Sequence, residues 1–152
     1  MYLIDAKERN RMKRGFTLVE IVIVVALVVI LSTITSVNIM RSRVVAFEGI
    51  AIANIRILSN ACQMYHLDNG SFPLGISDLN VNNPPYVDAS LASGSKQRYK
   101  FTYVRVSADS FTLNADPMST GLLKGRYFYT DESSIVRYNA TQQAGPTDQI
   151  VE

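Results

Sequence analysis

A single carboxylate, Glu20, interrupts an otherwise apolar run from Phe16 to Met40, in which no other side chain is ionisable. The run exceeds the roughly 20 residues a helix needs to cross a bilayer, and an acidic side chain near the middle of such a helix costs about 2.5 to 3.5 kcal/mol. Glu20 therefore requires an interfacial position or a partner. Four residues before it stands Phe16, preceded by Gly15 and the pair Lys13-Arg14. A cut after Gly15 would give Phe16 a free ammonium, whose reference pKa is about 7.7 to 8.0, one helical turn from the carboxylate. Such a pair can close within one chain, or between two chains whose helices pack side by side with an axial stagger.

The elements that position these groups follow from the pattern. Beyond Met40 the chain turns amphipathic: Val44, Phe47, Ala51, Ile55, Leu58, Cys62 and Tyr65 recur every three or four residues, and Ile50, Ile57, Ala61 and Met64 widen that face. Asn69-Gly70 followed by Pro73 is a stop signal. One helix is thus predicted from Phe16 to about Asp68, more than about 70 Å long at 1.5 Å per residue. Ser32, Thr33, Thr35 and Ser36 weaken it locally through side-chain bonds to the backbone, and Gly49 is a second soft point. After Gly70, a turn is expected at Asn82–Tyr86 and a short helical turn over Val87–Leu91. Tyr99, Phe101 and Tyr103, then Phe111, Leu113 and Ala115, alternate as two strands of a hairpin; Arg126–Thr130 and Ile135–Tyr138 form a second pair. The expected fold class is α+β: a long N-terminal helix packed on a four-stranded antiparallel sheet. The polar stretch 139–152 is expected to be a loose tail.

Charge is unevenly placed. Residues 1–15 carry Lys7, Arg9, Arg11, Lys13 and Arg14 against Asp5 and Glu8, net +3 out of a chain total of +2, which leaves about −1 for the remainder. The basicity belongs to the first 15 residues and gives no support to nucleic-acid binding. Five cations before the span against Arg41 and Arg43 after it place the N-terminus in the cytoplasm and the folded part outside. An ordinary secretory signal is shorter and is cut after its apolar segment at an A-x-A-like site, which Ser32–Ser36 does not offer. A plain single-span anchor explains the length but neither the Gly-Phe junction nor Glu20.

The block Arg14-Gly15-Phe16-Thr17-Leu18-Val19-Glu20 with the apolar run resembles the class III signal of type IV pilins and the pseudopilins of type II secretion. A second stretch, Tyr65 with Asn69-Gly70-Ser71-Phe72-Pro73 and Ser77-Asp78-Leu79, is similar to the helix-to-loop junction of the same proteins. The segment Gly125–Tyr138 is similar to their last hairpin, with Ser134 where a D-E-S-G turn has glycine. Positive φ at that place is less comfortable for serine. The resemblance implies a 1–15 leader removed by a prepilin peptidase, cleavage between Gly15 and Phe16, N-methylation of Phe16, and an assembly role for Glu20. It divides the chain into a transmembrane and assembly helix (16–40), its amphipathic continuation (41–69), a loop-and-sheet domain (70–138) and the tail. Many relatives carry a proline where Val37 stands here, and many have a C-terminal cysteine pair; this chain has only Cys62.

The implied partners are copies of itself and other pilin-like subunits in a helical filament, the prepilin peptidase, an assembly platform protein, an ATPase and the bacterial inner membrane, crossed once. Three readings stand together: a filament subunit of a pilus or a secretion apparatus, an anchored outward-facing binding module, and a minor or DNA-uptake pilin. No cofactor is expected. The sequence has no G-x-S-x-G, H-E-x-x-H or phosphate-binding glycine loop, so no enzyme is expected. Asp109, Asp116, Asp131 and Glu132 offer oxygen ligands for calcium, although solvated turns account for them more simply. His66 sits where a cation favours a helix end, Cys62 falls in the apolar helix stripe, and Tyr99, Tyr103, Tyr127 and Tyr129 are sheet formers.

Overall fold

The computed structural model describes residues 15–118, 121 and 124–151, and for 34–37 the backbone alone. Helix α1 spans Leu18–Asn69 without a break, across the Ser/Thr-rich segment as well. Ser32 Oγ donates to Val28 O at 2.7 Å and Thr33 Oγ1 to Ile30 O at 2.7 Å, the predicted back-bonding, and both leave the helix intact. Gly70, at φ 69, ends α1 and donates its N–H to His66 O at 2.8 Å, the left-handed stop that glycine adopts at little cost. The chain divides into two compact units, one up to Val37 and one from Asn38.

The second unit contains the sheet. A 3-10 turn at Ile76–Asn80 leads to a short helix α2, Ala89–Ala92, whose N-terminal Leu91 N–H is accepted by Asp88. Six strands follow: β1 Ser95–Lys96, β2 Tyr99–Arg105, β3 Phe111–Pro117, β4 Tyr127–Asp131, β5 Arg137–Asn139 and β6 Gln149–Ile150. They pair antiparallel in chain order. The sheet thus has six strands rather than the expected four. Both additions are two residues long and carry no alternation that a sequence pattern could register. The segment after Tyr138 is not loose: β6 pairs with β5, Ala144 is buried, and Asn114 Nδ2 donates to Ala144 O at 2.9 Å. Val151 N donates to Val136 O at 2.9 Å, and the Arg137 guanidinium donates to Asp148 O at 3.0 Å.

The core lies between α1 and one sheet face. Ala51, Ile55, Leu58, Ala61 and Cys62 pack with Phe101, Phe111, Leu113, Ala115 and Phe128. Each large side chain buried here stabilises by about 1.5 to 3 kcal/mol. Phe111 meets Phe72 edge-on at 4.7 Å and stacks on Tyr103 at 5.6 Å, while Tyr103 Oη donates to Pro73 O at 2.8 Å and ties the loop to the sheet. The predicted helix stripe is the buried one, but its widening set splits. Ala61 faces the core, whereas Ile57 and Met64 are exposed. The sheet covers a narrower arc of the helix than the apolar pattern spans.

Burial pushes the Cys62 thiol up to about 12 from 9.0. The unfolded chain ionises this thiol first, so its contribution to stability is intact below pH 9 and is lost as pH rises toward 12. At pH 8, Cys62 is expected to react with a thiol reagent only at the rate of unfolding; fast labelling of the folded chain would contradict this burial.

The β4–β5 turn places Ser134 at φ 59, in the left-handed region. For a non-glycine residue this costs about 1 to 2 kcal/mol. The Ser134 hydroxyl meets the buried Ser59 hydroxyl of α1 at 3.1 Å, a bond that glycine cannot make. Ser134→Ala, which keeps the strain and loses the bond, is expected to cost about 1 kcal/mol in thermal unfolding.

Candidate assembly site

Leu18 opens α1, and Thr17 caps it: Thr17 Oγ1 accepts the Glu20 N–H at 3.2 Å, and Thr17 O accepts the Ile21 N–H at 3.3 Å. Glu20 thereby stands in the first turn, where the helix dipole favours a carboxylate by a few tenths to about 1 kcal/mol. Phe16 is 79% exposed, and the apolar side chains from Leu18 to Leu31 are likewise uncovered. This is the one helix among the described residues long and apolar enough to cross a membrane. Gly15, Phe16 and Glu20 thus lie together at the start of an uncovered apolar stem. Lys13 and Arg14 lie outside the described residues, as do residues 1–12.

The domain half of α1 carries a second carboxylate, one that the sequence pattern did not single out. Glu48 is buried; its Oε1 accepts Arg126 N–H at 2.8 Å and its Oε2 accepts Arg126 Nε–H at 3.0 Å. The Arg126 guanidinium also lies 4.6 Å from the Tyr138 ring centroid. Tyr99 Oη donates to Arg126 O at 2.9 Å, and burial raises the Tyr99 pKa. Gly125 lets these groups converge: a Cβ there would lie 2.3 Å from Tyr99 Oη. Nearby, the β1–β2 turn holds Gln97 and Arg98 at φ 47 and 71, and Arg98 lies over the Phe47 ring at 5.4 Å. The one available signal for Glu48 was a charged residue one turn ahead of Ala51 and two turns ahead of Ile55 on an apolar stripe.

The four calcium candidates are not gathered. Asp109 Oδ1 lies 3.1 Å from His66 Nε2, Asp116 accepts from Gln143 at 3.1 Å, and Asp131 accepts the Ser133 N–H at 3.0 Å; Glu132 contributes its backbone oxygen to Gln63 at 2.8 Å. No group of three metal-type ligands occurs among the described residues. Burial raises the Asp116 pKa, and its Oδ1 is buried without a hydrogen-bond partner. His66 ends the helix with more partners than expected, since its ring also packs 4.5 Å from Phe72.

Residues 10–36 match the family model described as the prokaryotic N-terminal methylation motif. The chain is 35% identical over 78 residues to the type II secretion system core protein G of Aeromonas hydrophila, covering 50% of this chain and 54% of that protein. Over these residues it is similar to the type IV pilin-like and pseudopilin proteins. The same-named proteins of Escherichia coli K12 and Vibrio cholerae are 38% and 35% identical over 61 and 66 residues. Those matches cover 40% and 43% of this chain, and 42% and 45% of the relatives. The chain therefore spans about half the length of the curated relatives it matches. The long N-terminal helix on an antiparallel sheet matches the general pilin α+β fold.

Proposed function

We propose that this pilin-like chain is a structural, non-catalytic subunit of a type II secretion pseudopilus. It is made as a single-pass inner-membrane precursor with its N-terminus in the cytoplasm and its sheet domain outside. A prepilin peptidase cuts between Gly15 and Phe16 and methylates Phe16. Glu20 then meets the amine of a neighbouring subunit as the stems leave lipid and bundle under an assembly platform and its ATPase. The observation that carries this reading is the lone Glu20 carboxylate in an uncovered apolar stem, one turn after Phe16, within a matched methylation motif. The similarity to three core G proteins favours the secretion filament over a pilus.

Co-production with a prepilin peptidase tests the processing step. Terminal sequencing is expected to find N-methylated Phe16 at the start of the mature chain, and Gly15→Leu to accumulate full-length precursor. A wild-type chain that stays uncut and resident in the membrane would instead identify an anchored binding module.

A further inference from the structure

The folded unit from Asn38 onward has two oppositely charged ends. Arg41 and Arg43 stand exposed at the start of its part of α1 and Asp68 at the finish, about 40 Å apart at 1.5 Å per residue. Strand register extends the division across the sheet. Tyr99, bound beside Glu48 and Gly125, opens β2, so Arg98, Lys100 and Lys124 belong to the Arg41 end. At the far end Ala108 O accepts the Phe72 N–H, Asp109 reaches His66, and Glu132 O accepts from Gln63, which places Asp109, Asp131 and Glu132 with Asp68. A few groups run against the trend. The Asp88–Lys96 pair and half-buried Asp116 lie at the basic end, and Arg105, bound through Nε to Ser107 O, lies at the acidic one. Glu48 is fully engaged by Arg126. The excess of cations at one end and of anions at the other survives these exceptions.

Each end also exposes apolar side chains beside its charges. Val45 and Met118, whose N–H donates to Arg98 O at 2.8 Å, are 67% and 63% exposed at the basic end. Leu67 and Leu74 are 82% and 78% exposed at the acidic end. Apolar contact within a charged rim is how specific protein interfaces are built.

We infer that the basic end of one domain, around Arg41, Arg43 and Arg98, docks on the acidic end of a second copy, around Asp68, Asp109 and Glu132. The two patches differ, so the contact is heterologous, and repeated in one direction it runs on without closing. It rests on the filament reading and deepens it: stem packing holds the subunits, and the charged ends fix how far each domain sits along its neighbour. Each exposed pair contributes little alone. Repetition along a filament multiplies the effect.

Sedimentation of the full chain in a neutral detergent tests the contact, because the micelle covers the stem and leaves the domains to associate. Self-association is expected at about 10 mM salt, where the Debye length is about 30 Å, and weakening at about 0.1 M, where it is about 10 Å. Arg41→Glu/Arg43→Glu and Asp109→Lys/Glu132→Lys are each expected to associate at least about tenfold more weakly than wild type. An equal mixture of the two variants is expected to recover association, which also establishes that both are folded. A mixture that stays dissociated, association indifferent to salt, or wild type monomeric up to about 1 mM overturns the proposal. So does loss on reversing the basic end alone, which would leave the acidic end outside the contact. Failure here leaves Gly15 processing and Glu20-dependent polymer intact, whereas failure of the filament reading removes both.

Discussion

Glu20→Ala is expected to lower the yield of assembled polymer at least about tenfold, a loss of about 1.4 kcal/mol per subunit added, with the amount of mature subunit in the membrane unchanged. A carboxylate at the centre of a bilayer-spanning helix costs about 2.5 to 3.5 kcal/mol and less toward its end, and at Glu20 Thr17 capping and the first-turn position return a fraction of that. The remainder is recovered when the carboxylate meets an ammonium. Alanine removes the cost in lipid and the gain in the filament together, so the subunit becomes more content in the membrane and less ready to leave it. Glu20→Gln separates charge from shape, and is expected to assemble nearly as poorly as alanine. Polymer yield at the wild-type level in both variants would leave the amine without its proposed partner.

Gly125→Ala is expected to destabilise the folded unit by about 2 to 3 kcal/mol and to lower the Tm of the full chain in detergent by about 10 °C. The added methyl would stand 2.3 Å from Tyr99 Oη and 3.4 Å from Glu48 Cγ. Neither neighbour can step aside cheaply. Tyr99 is buried beside Phe128 and its hydroxyl is bound to Arg126 O, and the Glu48 carboxylate is held by two donors of Arg126. The relief variant is specific: Tyr99→Phe removes the offending oxygen, so Gly125→Ala/Tyr99→Phe is expected to be more stable than Gly125→Ala alone. A double variant whose losses simply add would place the strain elsewhere, since contacting residues are where additivity fails.

The parts of the structure that sequence reasoning reached are those with a local signature. The stem shows itself through a long apolar run broken by one charge, the α1 stripe through its 3.6-residue period, and β2 and β3 through alternation of Tyr99 to Tyr103 and Phe111 to Ala115. The parts it missed depend on distant partners. Glu48 and Arg126 are 78 residues apart, and only the folded chain brings them together. Strand β6 exists because β5 supplies its hydrogen bonds, not because Gln149-Ile150 prefers an extended form. The Gln97-Arg98 turn has two positive-φ residues without the Asn-Gly that would announce it; the Arg98–Phe47 contact and the Arg98 O to Met118 bond hold it in place. At the candidate site, Gly15, Phe16 and Glu20 stand out in the sequence because their spacing is local. The two-ended charge pattern was not, because β-strand register decides which end a residue occupies.

Glu48 has one further consequence, a mechanical one. It is the first buried side chain among the described residues of α1. Tension applied along the helix from its N-terminal side therefore meets Phe47 and Glu48 before it reaches the apolar rows at Ala51 and Ile55. The load falls on two parallel hydrogen bonds to one residue, Arg126, at 2.8 and 3.0 Å, directly ahead of strand β4. Helix and sheet are thus joined by a directional polar latch as well as by the hydrocarbon packed behind it.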